Sequence, residues 1–150
     1  MMKYLTATIC LFFAVLFGSA EVSWSAAELK PLSSILLEES SDTMKIYGIE
    51  RCAALFLGNA NQLETRGNKY QAVADKLKNF ATDLTILSSI LSKKYGFERP
   101  MEVIQRRIVG ILKLYVERWA HNSSATGHNI GPLTQSDMKT CKNILARWKK

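Results

Sequence analysis

Residues that interrupt regular structure are scarce in this chain, with 3 prolines and 8 glycines in 150. That scarcity argues for long regular elements and against a fold built from many turns. Histidine, the commonest general base and metal ligand, occurs twice. There is no Cys-x-x-Cys and no His-x-x-x-His, which removes a short-spaced zinc site. Without Cys-x-x-Cys-His, covalent haem attachment is removed as well. A Gly-x-Ser-x-Gly turn, a phosphate loop and a dinucleotide fingerprint are also missing. Hydrophobic types at 47% and charged types at 22% are ordinary globular usage, which excludes disorder, collagen and low complexity. The length suits one domain.

The longest strongly apolar stretch, Leu5 to Phe17, spans 13 residues and carries no charge. As a helix it reaches about 20 Å, short of the ~30 Å hydrocarbon core of a bilayer. It follows Lys3 and precedes Gly18-Ser19-Ala20, with small residues at the −3 and −1 positions. This is the three-part layout of a secretory signal peptide. The expectation is a cleaved leader over 1–20, with Ser25-Ala26-Ala27 offering a later cut as far as 27. Cys10 lies inside the apolar stretch behind Ile9 instead of at its end, which argues against a lipid anchor. The mature form is expected to be exported, periplasmic in a bacterium and otherwise secreted, and not membrane-spanning.

Removing the leader discards Lys3 alone among charged residues and takes the net charge from +7 to +6. It also leaves two cysteines, Cys52 and Cys141, which in an oxidising compartment read as one disulfide. Pairing between two chains is the alternative.

Apolar periodicity marks four helical segments. From Asp42 to about Thr65, Ile49, Cys52, Ala53, Phe56, Ala60 and Leu63 recur at spacings of three and four. Ser41 or Asp42 can cap that segment, and Arg66-Gly67-Asn68 can stop it. The stripe Tyr70, Val73, Ala74, Leu77, Phe80, Ala81, Leu84, Leu87 and Leu91 fills an arc of roughly 140°, and Gly96 ends it. After Pro100, Met101, Ile104, Ile108, Ile111, Leu112, Tyr115 and Trp119 fall within about 100°. A polar loop is expected from His121 to Pro132. Thr134 is then expected to cap a last segment carrying Met138, Cys141, Ile144, Leu145 and Trp148.

The expected fold is all-α: an up-down-up-down four-helix bundle over 42–150, preceded by an N-terminal arm over 21–41. The arm holds Pro31 and Ile35-Leu36-Leu37 and is expected to lie across the bundle with one helical turn. Gly48 and Gly58 each cost ~1 kcal/mol against Ala in a helix. They mark either a close approach by a neighbour or a break. Placing the helices by their ends leaves Cys52 and Cys141 mismatched in height by roughly 10 Å, so the bridge is allowed but not demanded.

No set of residues converges on chemistry. His121 and His128 fall in the polar loop with Asp137 as the nearest further ligand, and solvated loop histidines explain them. Ser123 and Ser124 lack the strand a nucleophile elbow needs, and Asn122-Ser123-Ser124 reads as a glycosylation sequon. Glu38, Glu39 and Asp42 suit a helix N-terminus, while Glu50 and Glu64 lie within the first segment. Met44, Met101 or Met138 with His121 is an arithmetically possible haem pair, but methionines on apolar stripes are usually core. Glu50-Arg51-Cys52 is the densest and most unusual stretch. Arg51 favours a thiolate at Cys52, and a structural half-cystine explains the same residue with less. No catalytic residue, metal site or cofactor is assigned.

Charge is distributed unevenly. Glu102–Arg106 and Lys113–Glu117 neutralise part of the third segment. After Asp137 come Lys139, Lys142, Arg147, Lys149 and Lys150 with no acid among them. Cations at a helix C-terminus suit the dipole. They also form a candidate surface for a protein partner or an anionic envelope partner. Nucleic acid is not expected, since an exported chain seldom meets it. The reading that follows is an exported binding or inhibitory module. A carrier of a small apolar ligand or cofactor between helices, and a small cell-wall or redox enzyme, are the alternatives.

Overall fold

The computed structural model describes residues 29–148, so the expected leader, its cleavage sites, Lys149 and Lys150 lie outside the described residues. Among the described residues there are five α-helices and no strand. They are α1 (Leu32–Glu38), α2 (Asp42–Glu64), α3 (Gln71–Lys94), α4 (Met101–Thr126) and α5 (Pro132–Trp148). A 3-10 turn, Asn68–Tyr70, leads into α3. The all-α expectation holds. None of the helices is long and apolar enough to cross a membrane.

The expected arm contains α1, two turns long instead of one, packed on α2 and α5. Ser41 caps α2, its Oγ accepting the Met44 N–H at 3.3 Å. α2 does not behave as a one-faced helix. Every residue from Ile46 to Phe56 is buried, because α1, α3, α4 and α5 all pack on it. A helix enclosed on all sides needs no clean stripe, and this one carries a weak one.

The two glycines show how close the neighbours come. A Cβ at Gly48 would lie 3.1 Å from the Leu36 side chain of α1. At Gly58 it would lie 2.6 Å from both Leu112 and the Trp119 ring of α4. Both are therefore approach points, and α2 runs unbroken through them.

Contacts between α2 and α3 run in opposite numerical order: Glu50 with Ser88, Phe56 with Phe80, Glu64 with Lys78. Those two helices are antiparallel. The interior joins Leu55, Phe56, Leu84, Ile104, Ile108, Tyr115 and Leu145 in one cluster. Val73, Met101 and Trp148, expected on core stripes, are more than a third exposed. Each sits in the first or last turn of its helix.

The connection after α4 is shorter than expected. His121 to Thr126 continue the helix, and Gly127 ends it in the left-handed region at φ 73°. Ser124 and Thr126 bond back to the carbonyls of Ala120 and Asn122, so their polarity is satisfied without leaving the helix. Pro132 opens α5, and Thr134 is not its cap: its Oγ1 accepts the Trp119 indole N–H at 2.9 Å. The chain therefore folds back beside α4, and α5 draws level with Trp119 instead of Thr126. Cys52 and Cys141 stand level across α2 and α5 despite the expected mismatch and are bonded, with a Cα–Cα distance of 5.3 Å.

Candidate functional site

Three consecutive residues of α2 are fully enclosed: Glu50, Arg51 and Cys52. At 100° per residue they face three directions. Each meets a different partner.

Arg51 faces α4, α5 and the start of α1. Its Nη2 donates to Asp137 Oδ2 at 2.5 Å and to the Lys30 carbonyl at 2.7 Å, and its Nε donates to the Tyr115 hydroxyl at 2.9 Å. The Tyr115 hydroxyl in turn donates to Asp137 Oδ2. Asp137 Oδ1 accepts the Leu32 N–H at 2.7 Å, one of the orphan donors at the start of α1. One buried carboxylate thus ties α1, α2, α4 and α5 together. Burial opposes the Arg51 charge, but Tyr115 and Asp137 more than offset it and push its pKa up. Burial, opposed by Arg51 and aided by Asp137, raises the Tyr115 phenol. Tyr47, beside Arg51, is raised chiefly by burial too.

Glu50 faces α3 and α4. Its Oε1 accepts the Ser88 hydroxyl at 3.1 Å, and its Oε2 accepts Arg107 Nε at 2.9 Å. Arg99 Nη1 stands 3.9 Å from Oε1. Cys52 faces α5 and carries the disulfide, so it offers no free thiol. The bridge and the Arg51–Asp137 pair both join α2 to α5, one helical turn apart on the latter.

The other candidates stay apart. His121 is exposed on the last turns of α4, and His128 is exposed in the connection. Asn122 lies against Gly131, its amide occupying the space a Cβ there would need. Glu38 pairs with Lys30 at 3.7 Å, Asp42 with Lys45 at 2.8 Å and Glu64 with Lys78 at 2.6 Å. Those carboxylates are spent singly on ion pairs and converge nowhere. Met44 and Met138 are half-buried, and Met101 is exposed. Among the described residues no three of His, Cys, Asp and Glu come together.

Outward, α5 is different. Asp137 is its only acid and points into the core, leaving Lys139, Lys142 and Arg147 as its exposed charges among the described residues. Lys139 and Lys142 border a depression of about 360 Å³ lined also by Ile130, Thr134, Gln135, Met138 and Asn143. A second, of about 430 Å³, lies over Gly58 and is walled by Leu112, Val116 and Trp119 with the neutral Asn61, Gln62 and Ser123.

Sequence reasoning singled out Glu50-Arg51-Cys52 but missed their partners Tyr115, Asp137 and Ser88. One signal was available. Asp137 lies four residues before Cys141 and three after Thr134, on the inward register of a segment otherwise basic. The chain matches no known family model, and comparison with curated proteins and with solved structures finds no match either.

Proposed function

We propose that this chain is an exported binding or inhibitory module that presents the outer face of α5 to an acidic protein or an anionic envelope partner. In this reading the leader is removed after Ala20, or as late as Ala27, and α2 to α5 form an up-down-up-down four-helix bundle. The protein acts by binding and catalyses no reaction.

One observation carries the reading. The single acid of α5 is turned inward and neutralised by Arg51, so Lys139, Lys142 and Arg147 face solvent with no carboxylate beside them on their own helix. Helix-terminal cations suit the dipole, but that accounts for the last turn only, and Lys139 stands two to three turns before Trp148. The helix is also held firmly by the disulfide and the buried ion pair, and a rigid display lowers the ordering cost of association.

The test is retention of a partner in the compartment to which the protein is exported. Wild type should hold one in a salt-sensitive way, and the Lys139→Glu/Lys142→Glu variant should lose at least about tenfold in affinity. The His121→Ala/His128→Ala variant should bind as wild type. Equal retention by the charge-reversed variant overturns the reading.

A further inference from the structure

The depression on α5 has a shape and a chemistry that narrow the partner. Gln135, Met138, Lys139, Lys142 and Asn143 recur at three and four and form one stripe of the helix. Thr134 lies beneath them, buried and already bonded to Trp119, so it is spent as a polar group. Met138 and Ile130 supply the apolar surface. Ile130 is 42% exposed, a branched apolar side chain left in solvent by the connection between α4 and α5. That connection is short and anchored at both ends. Gly127 takes the left-handed turn, and the Asn122 amide fills the space over Gly131 just before Pro132 opens α5. Ile130 and Met138 line the same depression. No Asp or Glu lines the depression, while Lys139 and Lys142 stand at its rim.

Resting on the reading of α5 as the recognition face, we propose that the depression takes one apolar side chain of an acidic peptide segment. The carboxylates of that segment pair with Lys139 and Lys142. Those lysines are three residues apart on a helix, so their Cβ atoms stand about 5–6 Å apart. The matching segment carries its acids within about one helical turn of a Leu, Met or Phe. Its anchor fills the space between Ile130 and Met138, and the flanking acids select the register. A membrane surface fits less well. The apolar groups of a membrane-binding surface project outward into the lipid. Here the apolar surface lines a concavity with two cations beside it. At about 360 Å³ the space falls near the lower end of ligand pockets, roughly 300–1,000 Å³.

The experiment uses the full mature chain and two fluorescent peptides rich in glutamate, identical except for Phe or Gly at the centre. Vesicles of pure phosphatidylglycerol are the third probe. Binding is followed by anisotropy or co-sedimentation at low and physiological salt. The Phe peptide should bind about tenfold tighter than the Gly peptide, which is the scale of one buried apolar side chain. An Ile130→Gln/Met138→Gln variant should erase that preference while keeping the weaker, salt-sensitive binding. The Lys139→Glu/Lys142→Glu variant should lose both. All variants replace surface or half-buried side chains, and unchanged melting checks that they fold.

Equal affinity for the two peptides in wild type overturns the inference but leaves the acidic-partner reading standing. Tighter binding to vesicles than to either peptide overturns it in favour of a lipid surface. If no acidic probe binds, or if reversing the lysines changes nothing, the inference and the reading on which it rests fall together.

Discussion

Glu50 and Arg51 are neighbours on α2 and are equally hidden from solvent, yet the protein neutralises them in different ways. The Arg51–Asp137 pair is closed on both sides, with neither side chain reaching water. Glu50 is met by two arginines that reach it from the edge, Arg107 with 39% of its side chain exposed and Arg99 with 21%. The first cluster is a lock between helices, because every group in it would be stranded if one were removed. The second is a cap, whose closer cation, Arg107, falls back on water when the anion is gone. Burial of one partner is therefore a poor guide to what an ion pair holds together, and the exposure of the other partner decides it.

The largest effect should come from breaking the lock on one side. Arg51→Met leaves the Asp137 carboxylate buried with no cation and should cost about 3–5 kcal/mol in denaturant unfolding. Arg51→Met/Asp137→Leu should recover most of that loss, because the unpaired charge is gone as well. Failure of the double variant to recover would mean that the Leu32 N–H and Tyr115 hydroxyl, left without their acceptor, matter more than the charge.

Next comes the covalent link that parallels the lock. The Cys52→Ala/Cys141→Ala variant opens a bridge spanning a sequence separation of 89. In the chain-entropy model that is on the order of 4 kcal/mol. Both sulfurs are buried, so the bridge should resist reductant under native conditions and be cut only as the chain unfolds. Immediate destabilisation by reductant under native conditions would show that α5 lifts from α2, and that the lock does not hold it unaided.

A smaller effect is a pH dependence. Tyr115 and Tyr47 have folded pKa values raised above the ordinary phenol. A raised group contributes stability that is intact below its unfolded pKa, near 10, and is lost as pH climbs beyond it. The unfolded chain then sheds protons that the native state retains. Stability should be flat in this respect up to about pH 10 and then fall by up to ~1.4 kcal/mol per pH unit per tyrosine. Tyr115→Phe should flatten that slope whatever it does to stability at neutral pH. An unchanged slope would place Tyr115 in contact with water.

How much of this could be read in the sequence differs between α2 and α5. The helical periodicities, the Ser41 cap and the unusual chemistry of Glu50-Arg51-Cys52 were all legible, since each is local. Their partners were not. Arg51 and Asp137 are 86 residues apart, and their meeting depends on where α5 begins relative to α4. That register was hidden in His121 to Thr126, whose Asn, Ser and Thr residues read as loop by composition. In the structure the hydroxyls of Ser124 and Thr126 return to the helix backbone. A helix end decided by side-chain back-bonding leaves no periodic trace. The depression at Ile130 and Met138 was illegible for the same reason, being formed where the misjudged connection meets α5.

The smallest effect is the sharpest test of the contrast between lock and cap. Glu50→Gln keeps an oxygen to accept from Ser88 and removes only the charge that Arg107 and Arg99 share. Arg107, which makes the closer contact, already has part of its side chain in water and regains solvation without moving the helices. Arg99 Nη1 is buried and stands beyond hydrogen-bond distance of Glu50. The loss should be about 1–2 kcal/mol, the scale of a charged hydrogen bond, and it should shrink in high salt. By contrast, the deficit of Arg51→Met should be nearly insensitive to salt, since screening does not reach a buried pair. A Glu50→Gln cost equal to that of Arg51→Met, with the same indifference to salt, would show that Arg107 cannot hydrate. Glu50 would then be a second lock, and α2 would be pinned to α3 and α4 as firmly as it is to α5.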